Sequence, residues 1–264
     1  MKMDLVLYLK MLKMAILSQM EYKLSFVVSS LSHFFQIIIE LGGLYYLFQR
    51  FPLISGFTIY EAMLFFGTVH IAFGLTEMWA RAFDVFDKYI REGSFDRLLL
   101  RPVGLFTQIM GAEFQLLRIG RIAAGGVALY FGLTQSGIHL TWDKALLLTY
   151  AILGAVMMFA SLFIIQATAT FFTVDALEVF NAFTYGGVEM SQYPMSIYKE
   201  WFRNIFLYMV PIGGVTYFSV MLILGRPVHP LLAYGFPSLG FIMIAIAIQA
   251  FNRIGVAGYQ STGG

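Results

Sequence analysis

From Ala145 to Thr168 the chain runs without one charged side chain. A bilayer core is crossed by about 20 consecutive apolar residues of helix, and this run is long enough. No soluble fold hides so long a greasy helix easily, so the run places at least one helix in a membrane. Four further runs are long and mainly apolar, though three of them carry isolated charges: Phe26–Phe48, Ile59–Trp79, Phe106–Leu133 and Leu231–Phe251. Composition agrees. The chain is 59% hydrophobic and 12% charged, whereas soluble domains are about 45–50% apolar and about 25% charged. The expectation is a polytopic all-α integral membrane protein forming one transmembrane domain over residues 1–264.

The segment between Phe171 and Arg226 is ambiguous. Hydropathy favours a span at Ile205–Leu224, and a shorter, more polar candidate lies at Ala176–Met190. Both cannot cross if the end spans keep their directions, so one crosses and the other is re-entrant or interfacial. Six spans result. At the N-terminus, Leu5, Leu9, Leu12, Ile16 and Met20 repeat with helical spacing around Lys10 and Lys13. That pattern suits a helix over 4–20 lying along an anionic membrane surface, or the first turns of a long span. Lysines 2, 10, 13 and 23 are spread out and do not form the compact basic start of a signal peptide.

Orientation follows the lysines and arginines. The N-terminal segment and residues 80–104 hold nine of the seventeen. Both are therefore expected on the cytoplasmic side, and with six spans the C-terminus joins them. The formal net charge of +2 gives no reason to expect nucleic acid as a partner.

The densest charge lies in REGSFDRLLLRPV, residues 91–103, with five charges in thirteen residues. Upstream, Phe83, Phe86 and Ile90 share a helical face with Ala82 and Tyr89, while Asp84, Asp87, Lys88 and Arg91 fall mostly opposite. Gly93 can end this helix with a left-handed backbone, Ser94 can cap a second one, and Pro102 ends the run. The segment 81–101 thus reads as two short helices at the cytoplasmic surface. It is either a solvated loop whose charge sets topology or a docking element for a cytosolic protein. Its mixed signs favour docking, because orientation needs only Lys and Arg. Phe83, Phe86, Phe95 and Leu98 are expected to be exposed and to bury themselves in lipid headgroups or a protein groove.

Several chemistries are excluded. No Gly-Lys pair occurs, so there is no Walker A phosphate loop. The four histidines have no zinc-ligand spacing and no cysteine to join them. A nucleophile elbow is missing. The remaining chemistry sits in ionisable residues at membrane depth, each costing several kcal/mol unless paired or hydrated. Glu40 in the first span, and Glu113, Arg118 and Arg121 in the third, stand out, with His33 and His70 beside them. Glu40, Glu113 and Arg118 are candidates for a translocation path. Alternatively, Glu113 pairs with one of the arginines, and the histidines bond between helices. A proton-coupled secondary transporter using Glu40 and Glu113 fits these residues too.

Three stretches together resemble a known family. In IREGSFDRLLLRPV, the residues Ile90, Gly93, Asp96, Leu99, Arg101 and Pro102 match the pattern I-x-x-G-x-x-D-x-x-L-x-R-P. In SQYPMSIYKEWFRNIFLYMVPIGG, the residues Tyr193, Pro194, Ile197, Tyr198, Phe202, Arg203, Val210 and Pro211 match a second, with Phe202 and Val210 standing for Leu and Ile. The tail supplies Gly255, Tyr259, Ser261 and Gly263. In this order they resemble the permease subunits of ABC transporters, in the type-2, exporter-like branch with six spans. The resemblance implies a second permease chain, identical or different, and a separate ATP-binding subunit that holds ATP and magnesium. It implies no cofactor and no catalysis in this chain. Residues 81–101, through Phe83, Phe86, Ile90, Gly93, Asp96, Arg97 and Arg101, would couple to that subunit. Residues 4–20 would be a connecting helix, Ala176–Met190 the fifth span, and 192–226 a re-entrant outer element, with Asp175 at a tight cytoplasmic turn. An amphiphilic or apolar substrate, exported across the plasma membrane, is the matching expectation.

Overall fold

The computed structural model describes residues 2–173 and 177–259. Asp175, Ser261 and Gly263 lie outside the described residues, as does Ala176. Twelve α-helices follow one another among the described residues, with no named strand. They are α1 (Lys2–Glu21), α2 (Lys23–Arg50), α3 (Ile59–Asp84), α4 (Phe86–Arg91), α5 (Ser94–Leu99), α6 (Leu105–Ala112), α7 (Ile119–Gln135), α8 (Trp142–Thr170), α9 (Leu177–Ser191), α10 (Glu200–Asn204), α11 (Ile212–Ile223) and α12 (Pro230–Ala250). Five stretches are long and apolar enough to cross a membrane: Lys23–Arg50, Ile59–Arg91, Leu116–Gln135, Trp142–Thr170 and Pro230–Val256.

At the centre is α3. Thr58 starts it with a reciprocal cap, its hydroxyl accepting from the Glu61 N–H while Glu61 accepts from the Thr58 N–H. Most of its apolar side chains are buried, because α7, α8, α2 and α9 all pack on it. Small residues make the closest approaches, as expected where helices meet without a hydrophobic drive between them. A Cβ on Gly67 would stand 2.6 Å from the Gly125 carbonyl oxygen of α7. On the other side of α3, α8 meets α12 at Gly154 and Gly240, backbone against backbone. We expect Gly240→Ala to push these two helices apart and to cost about 1–3 kcal/mol, the usual cost of overpacking. Gly235→Ala, whose added Cβ meets nothing within 4 Å, should leave the thermal unfolding midpoint in detergent unchanged.

The expected third span, Phe106–Leu133, is broken. The α6 helix ends at Ala112, residues 113–115 are non-helical, and a single 3-10 turn, Leu116–Arg118, leads into α7. Polar residues make the break tolerable by satisfying its backbone. Gln115 N–H donates to the Met78 carbonyl at 2.9 Å. Gln19 of α1 donates to the Phe114 carbonyl at 2.5 Å and accepts from the Leu116 N–H at 2.9 Å. Only Leu116–Gln135 is then long and apolar enough to cross.

Tyr22, at φ −97° and ψ 65°, separates α1 from α2. Packing of α1 on α6 brings Met11 against Gly111, whereas Leu9, Met14, Leu17 and Met20 stay exposed. Of the face anticipated over residues 4–20, Leu9 and Met20 are exposed while Leu12 and Ile16 are half-buried.

Between Ser191 and Pro230 the chain bends back on itself. Glu200–Met209 and Ile212–Ile223 meet at 97° across Val210–Pro211. Pro211 cannot donate to a helix, which places the corner. Running antiparallel to the start of α12, α11 has its Ser219 hydroxyl donating to the Ala233 carbonyl at 2.7 Å and its Phe218 ring 4.6 Å from that of Phe236. Its far end reaches Leu147 and Leu148 at the start of α8 through Ile223. It thus occupies only the half of the bundle at which α3, α8 and α12 begin.

Candidate functional site

The knot at residues 81–101 folds as two short helices, α4 and α5, joined at Gly93 with φ +62°. The left-handed residue falls where the sequence places it. Its cap does not: Gly93 itself is the N-cap of α5, and the Ser94 hydroxyl donates to the Tyr89 carbonyl at 3.4 Å. The expected exposure of Phe83, Phe86, Phe95 and Leu98 is corrected. Phe83, Phe86 and Phe95 are 0% exposed and Leu98 is 9%. Ile90 is buried too. Their partners come from distant parts of the chain. Phe86 lies 5.3 Å from Phe171 and 5.4 Å from both Phe251 and Phe95, and Phe95 lies 4.8 Å from Tyr259. Edge-to-face contacts of this kind stabilise beyond the area they bury. Gly255 permits the assembly, since a Cβ there would stand 2.6 Å from the Phe171 ring. Gln108 locks the loop by donating to the carbonyls of Leu98 and Val103 at 3.0 and 2.9 Å.

What faces outward is different. Lys88, Arg91, Glu92, Arg97, Leu99, Leu100 and Arg101 are exposed, and Leu100 is 86% exposed. Asp96 is half-buried. The knot is a charged, leucine-tipped surface mounted on an aromatic base.

From the knot a polar face runs up α3. Phe66, His70, Phe73, Glu77, Arg81 and Asp84 recur at spacings of three and four residues and so share one side of the helix. At the Asp84 end, Arg81 bonds Asp84 directly, and Tyr185 of α9 joins both, accepting from Arg81 at 2.7 Å and donating to Asp84 at 2.8 Å. The Asp84 carbonyl accepts from Gln166 of α8 at 3.1 Å. About two turns from Asp84 along the helix, Glu77 is 1% exposed. It sits among three arginines, Arg118 at 3.2 Å, Arg121 at 3.6 Å and Arg81 at 3.8 Å. Arg121 also lies 5.0 Å over the Phe73 ring. The break in the third span is what sets Arg118 and Arg121 beside α3.

Higher on the same face is a second group. His70, 1% exposed, has Nε2 2.8 Å from Gln192 Oε1 and 3.8 Å from Glu40 Oε2. Gln192 donates to Glu189 at 2.7 Å, and Gln36 donates to Glu40 at 3.4 Å. Glu40 thus has an amide partner one turn away, Gln36, and an ionisable neighbour, His70, on another helix. Around it, Ser25, Ser29, Ser32, Gln36, Glu40 and Gly43 form one polar stripe along α2, and none of them is buried.

Of the three path candidates, the structure sets Glu40 and Arg118 along the α3 face, in separate groups. Glu113 belongs to neither. It lies in the break and lines a surface cavity of about 280 Å³ with Val85, Lys88, Tyr89, Glu92 and Ser94. Among the described residues it makes no ion pair with Arg118 or Arg121, because the break turns it toward the knot. Glu77 and Glu189 escaped the sequence reading. A signal for Glu77 existed: it stands four residues before Arg81, deep in an apolar run. Glu189 had none, since its neighbour His70 is remote in sequence.

The family model described as ABC-2 family transporter protein matches residues 34–263. The chain belongs to this family. No curated protein and no solved structure matches it. As an ABC-2 permease it is an all-α, multi-pass integral membrane protein and a transport subunit, and the family implies association with an ATP-binding subunit. A proton-coupled secondary carrier is not favoured by this membership.

Proposed function

We propose that this ABC-2 permease exports an amphiphilic or apolar substrate across the plasma membrane, driven by ATP hydrolysed with magnesium on a separate subunit. The chain itself is non-catalytic. The observation that carries this reading is the knot. An aromatic base packed on Phe171 and Phe251, at the ends of α8 and α12, presents Leu99, Leu100, Arg97 and Arg101 to the aqueous side, which suits transmission of a push from a docked ATP-binding subunit. Phe83, Phe86 and Ile90 serve as the base of that lever and Gly93 as its bend, with Asp96 beside its outward face. The excess of Lys and Arg supports a cytoplasmic location for this end and the N-terminus, six spans would bring the C-terminus to the same side, and α1 lies along the membrane surface.

Two permease chains, identical or different, enclose the path. The polar stripe of α2 supports this, since Ser25, Gln36 and Glu40 facing hydrocarbon would each be costly, and a facing copy removes that cost. Residues 192–226 are the re-entrant outer element and α9 belongs to the fifth span. The 97° corner at Val210–Pro211 and the half-depth packing of α11 support this assignment.

The decisive experiment is purification of the tagged chain from its own cells in mild detergent, with mass spectrometry of what remains bound. A stoichiometric ATP-binding protein is expected. A chain purified alone that transports on a proton gradient overturns the reading. Topology has its own test, because the chain has no cysteine. Exposed Lys199→Cys should react with an impermeant maleimide from the outside of intact cells, and labelling only after permeabilisation would reject the re-entrant outer element.

A further inference from the structure

We propose that a cleft at the elbow between α1 and α2 holds the uncharged, polyhydroxyl head of a membrane lipid. This goes beyond the export reading and stands whether the lipid is carried or stays in place. It rests on one part of that reading, the placement of α1 along the membrane surface.

Two adjoining cavities make the cleft. One, of about 290 Å³, lies between α1 and the break in the third span, with Ser18, Glu113, Phe114 and Gln115 in its wall. The other, of about 150 Å³, lies at the Tyr22 corner and is lined by Ser25, Phe26 and Ser29 of α2. Ser18, Gln19 and Leu117 line both. Together the cavities enter the range of about 300–1,000 Å³ typical of small-molecule sites. The cleft exists because the third span is broken, and Gln19 holds the broken backbone as its far wall.

The hydroxyls in this cleft are unlike those elsewhere on the spans. Exposed hydroxyls there bond back to a carbonyl one turn earlier, as Ser32 does to Val28 at 2.8 Å, Thr134 to Tyr130 at 2.8 Å and Thr149 to Ala145 at 2.9 Å. Ser18, Ser25 and Ser29 make no such bond among the described residues. Gln115 accepts from Arg118 at 3.0 Å, which leaves its amide N–H groups to donate. The one charged group in the walls of the two cavities, among the described residues, is the Glu113 carboxylate. Arg118 is directed to Glu77 of α3 at 3.2 Å, and Lys88 lines the knot cavity on the other side of Glu113, together with Glu92.

That inventory selects a ligand. A phosphate would meet a carboxylate and no cation. A quaternary ammonium would leave the amide and hydroxyl donors with nothing to give to. A polyhydroxyl group both donates and accepts, so it can use the serines, the Gln115 amide and Glu113 at once. With α1 along the surface, the cleft stands at headgroup depth. Phe26 and Leu117 close its smaller cavity with apolar side chains, and Val27, Val28 and Leu31 are exposed along α2 beyond it. A ligand fitting both parts carries an apolar tail.

The test is protection of an introduced cysteine, since the chain has none. Full-length Ser18→Cys permease in phosphatidylcholine nanodiscs is treated with N-ethylmaleimide as glucosyldiacylglycerol, diacylglycerol or phosphatidic acid is added to the bilayer, or methyl glucoside to the buffer. Glucosyldiacylglycerol should slow the reaction saturably, the other three should not, and Lys199→Cys should react equally throughout. Adding Glu113→Gln should raise the glucosyl lipid required about tenfold, the worth of one hydrogen bond to a charged group. Ser25→Cys serves as a second reporter if Ser18→Cys folds poorly. Equal protection by diacylglycerol, phosphatidic acid or methyl glucoside, or an unchanged titration with Glu113→Gln, overturns the proposal. The placement of α1 fails separately, if a fluorophore on Leu9→Cys escapes quenching by lipid-borne spin labels.

Discussion

Leu100→Asp should release the ATP-binding subunit from a permease that is otherwise folded. Leu100 is 86% exposed, so the change costs the isolated chain almost nothing. In a docked complex the same side chain sits at the tip of the knot, and an apolar anchor of that kind is worth about 2 kcal/mol or more, roughly thirtyfold in affinity. Pull-down of the partner should fall by that factor while the permease keeps its yield and unfolding midpoint. The contrast is Phe86→Ala. Phe86 is fully buried among Phe95, Phe171 and Phe251, and its truncation should cost about 3–5 kcal/mol, lowering yield and midpoint. If Leu100→Asp retains the partner at full strength, the knot is not the docking surface. By the same logic Phe83→Asp is no probe of docking, because it places a charge in the core.

The second large effect is at Glu77. Replacing it by Gln leaves Arg81, Arg118 and Arg121 around a neutral side chain, with Asp84 the nearest remaining counter-charge for Arg81 alone. Removing one partner of a buried ion pair costs about 3–5 kcal/mol. The variant should unfold at a markedly lower temperature in detergent. Glu113→Gln, at the surface break, should stay within about 0.5 kcal/mol of wild type. Equal midpoints for the two variants would mean that the arginines are hydrated and not held by Glu77. Because Glu77 lies on the same α3 face as His70 above and Asp84 below, the cluster also sets a charged joint between the His70 group and the knot.

Parts of the site were legible before any fold. Glu40 and Arg118 were visible because a charge inside an apolar run is conspicuous at any resolution of reading. Gly93 was visible because a glycine between two amphipathic turns has one obvious use. Glu77 is as conspicuous as Glu40, a carboxylate inside an apolar run. The stripe from Ser25 to Gly43 was also readable, at its spacing of three and four, and needed only attention to the weakly polar residues. Glu189 and Gln192 were not, because their meaning comes from His70, more than a hundred positions away.

The sequence by itself determined the membrane, the number of long apolar helices, the charged knot and the family. Those properties depend on local composition and spacing, which the bilayer reads one segment at a time. Tertiary structure alone decided which face of each helix is used. Phe83, Phe86 and Phe95 looked exposed because their burial comes from Phe171, Phe251 and Tyr259, whose approach no local pattern announces. The third span broke at Glu113 because a glutamine from α1 and a carbonyl from α3 supply the missing backbone partners. In both cases the cost of exposing a ring, or an unpaired peptide group, is met by residues far away in sequence, and only the packed fold brings them together.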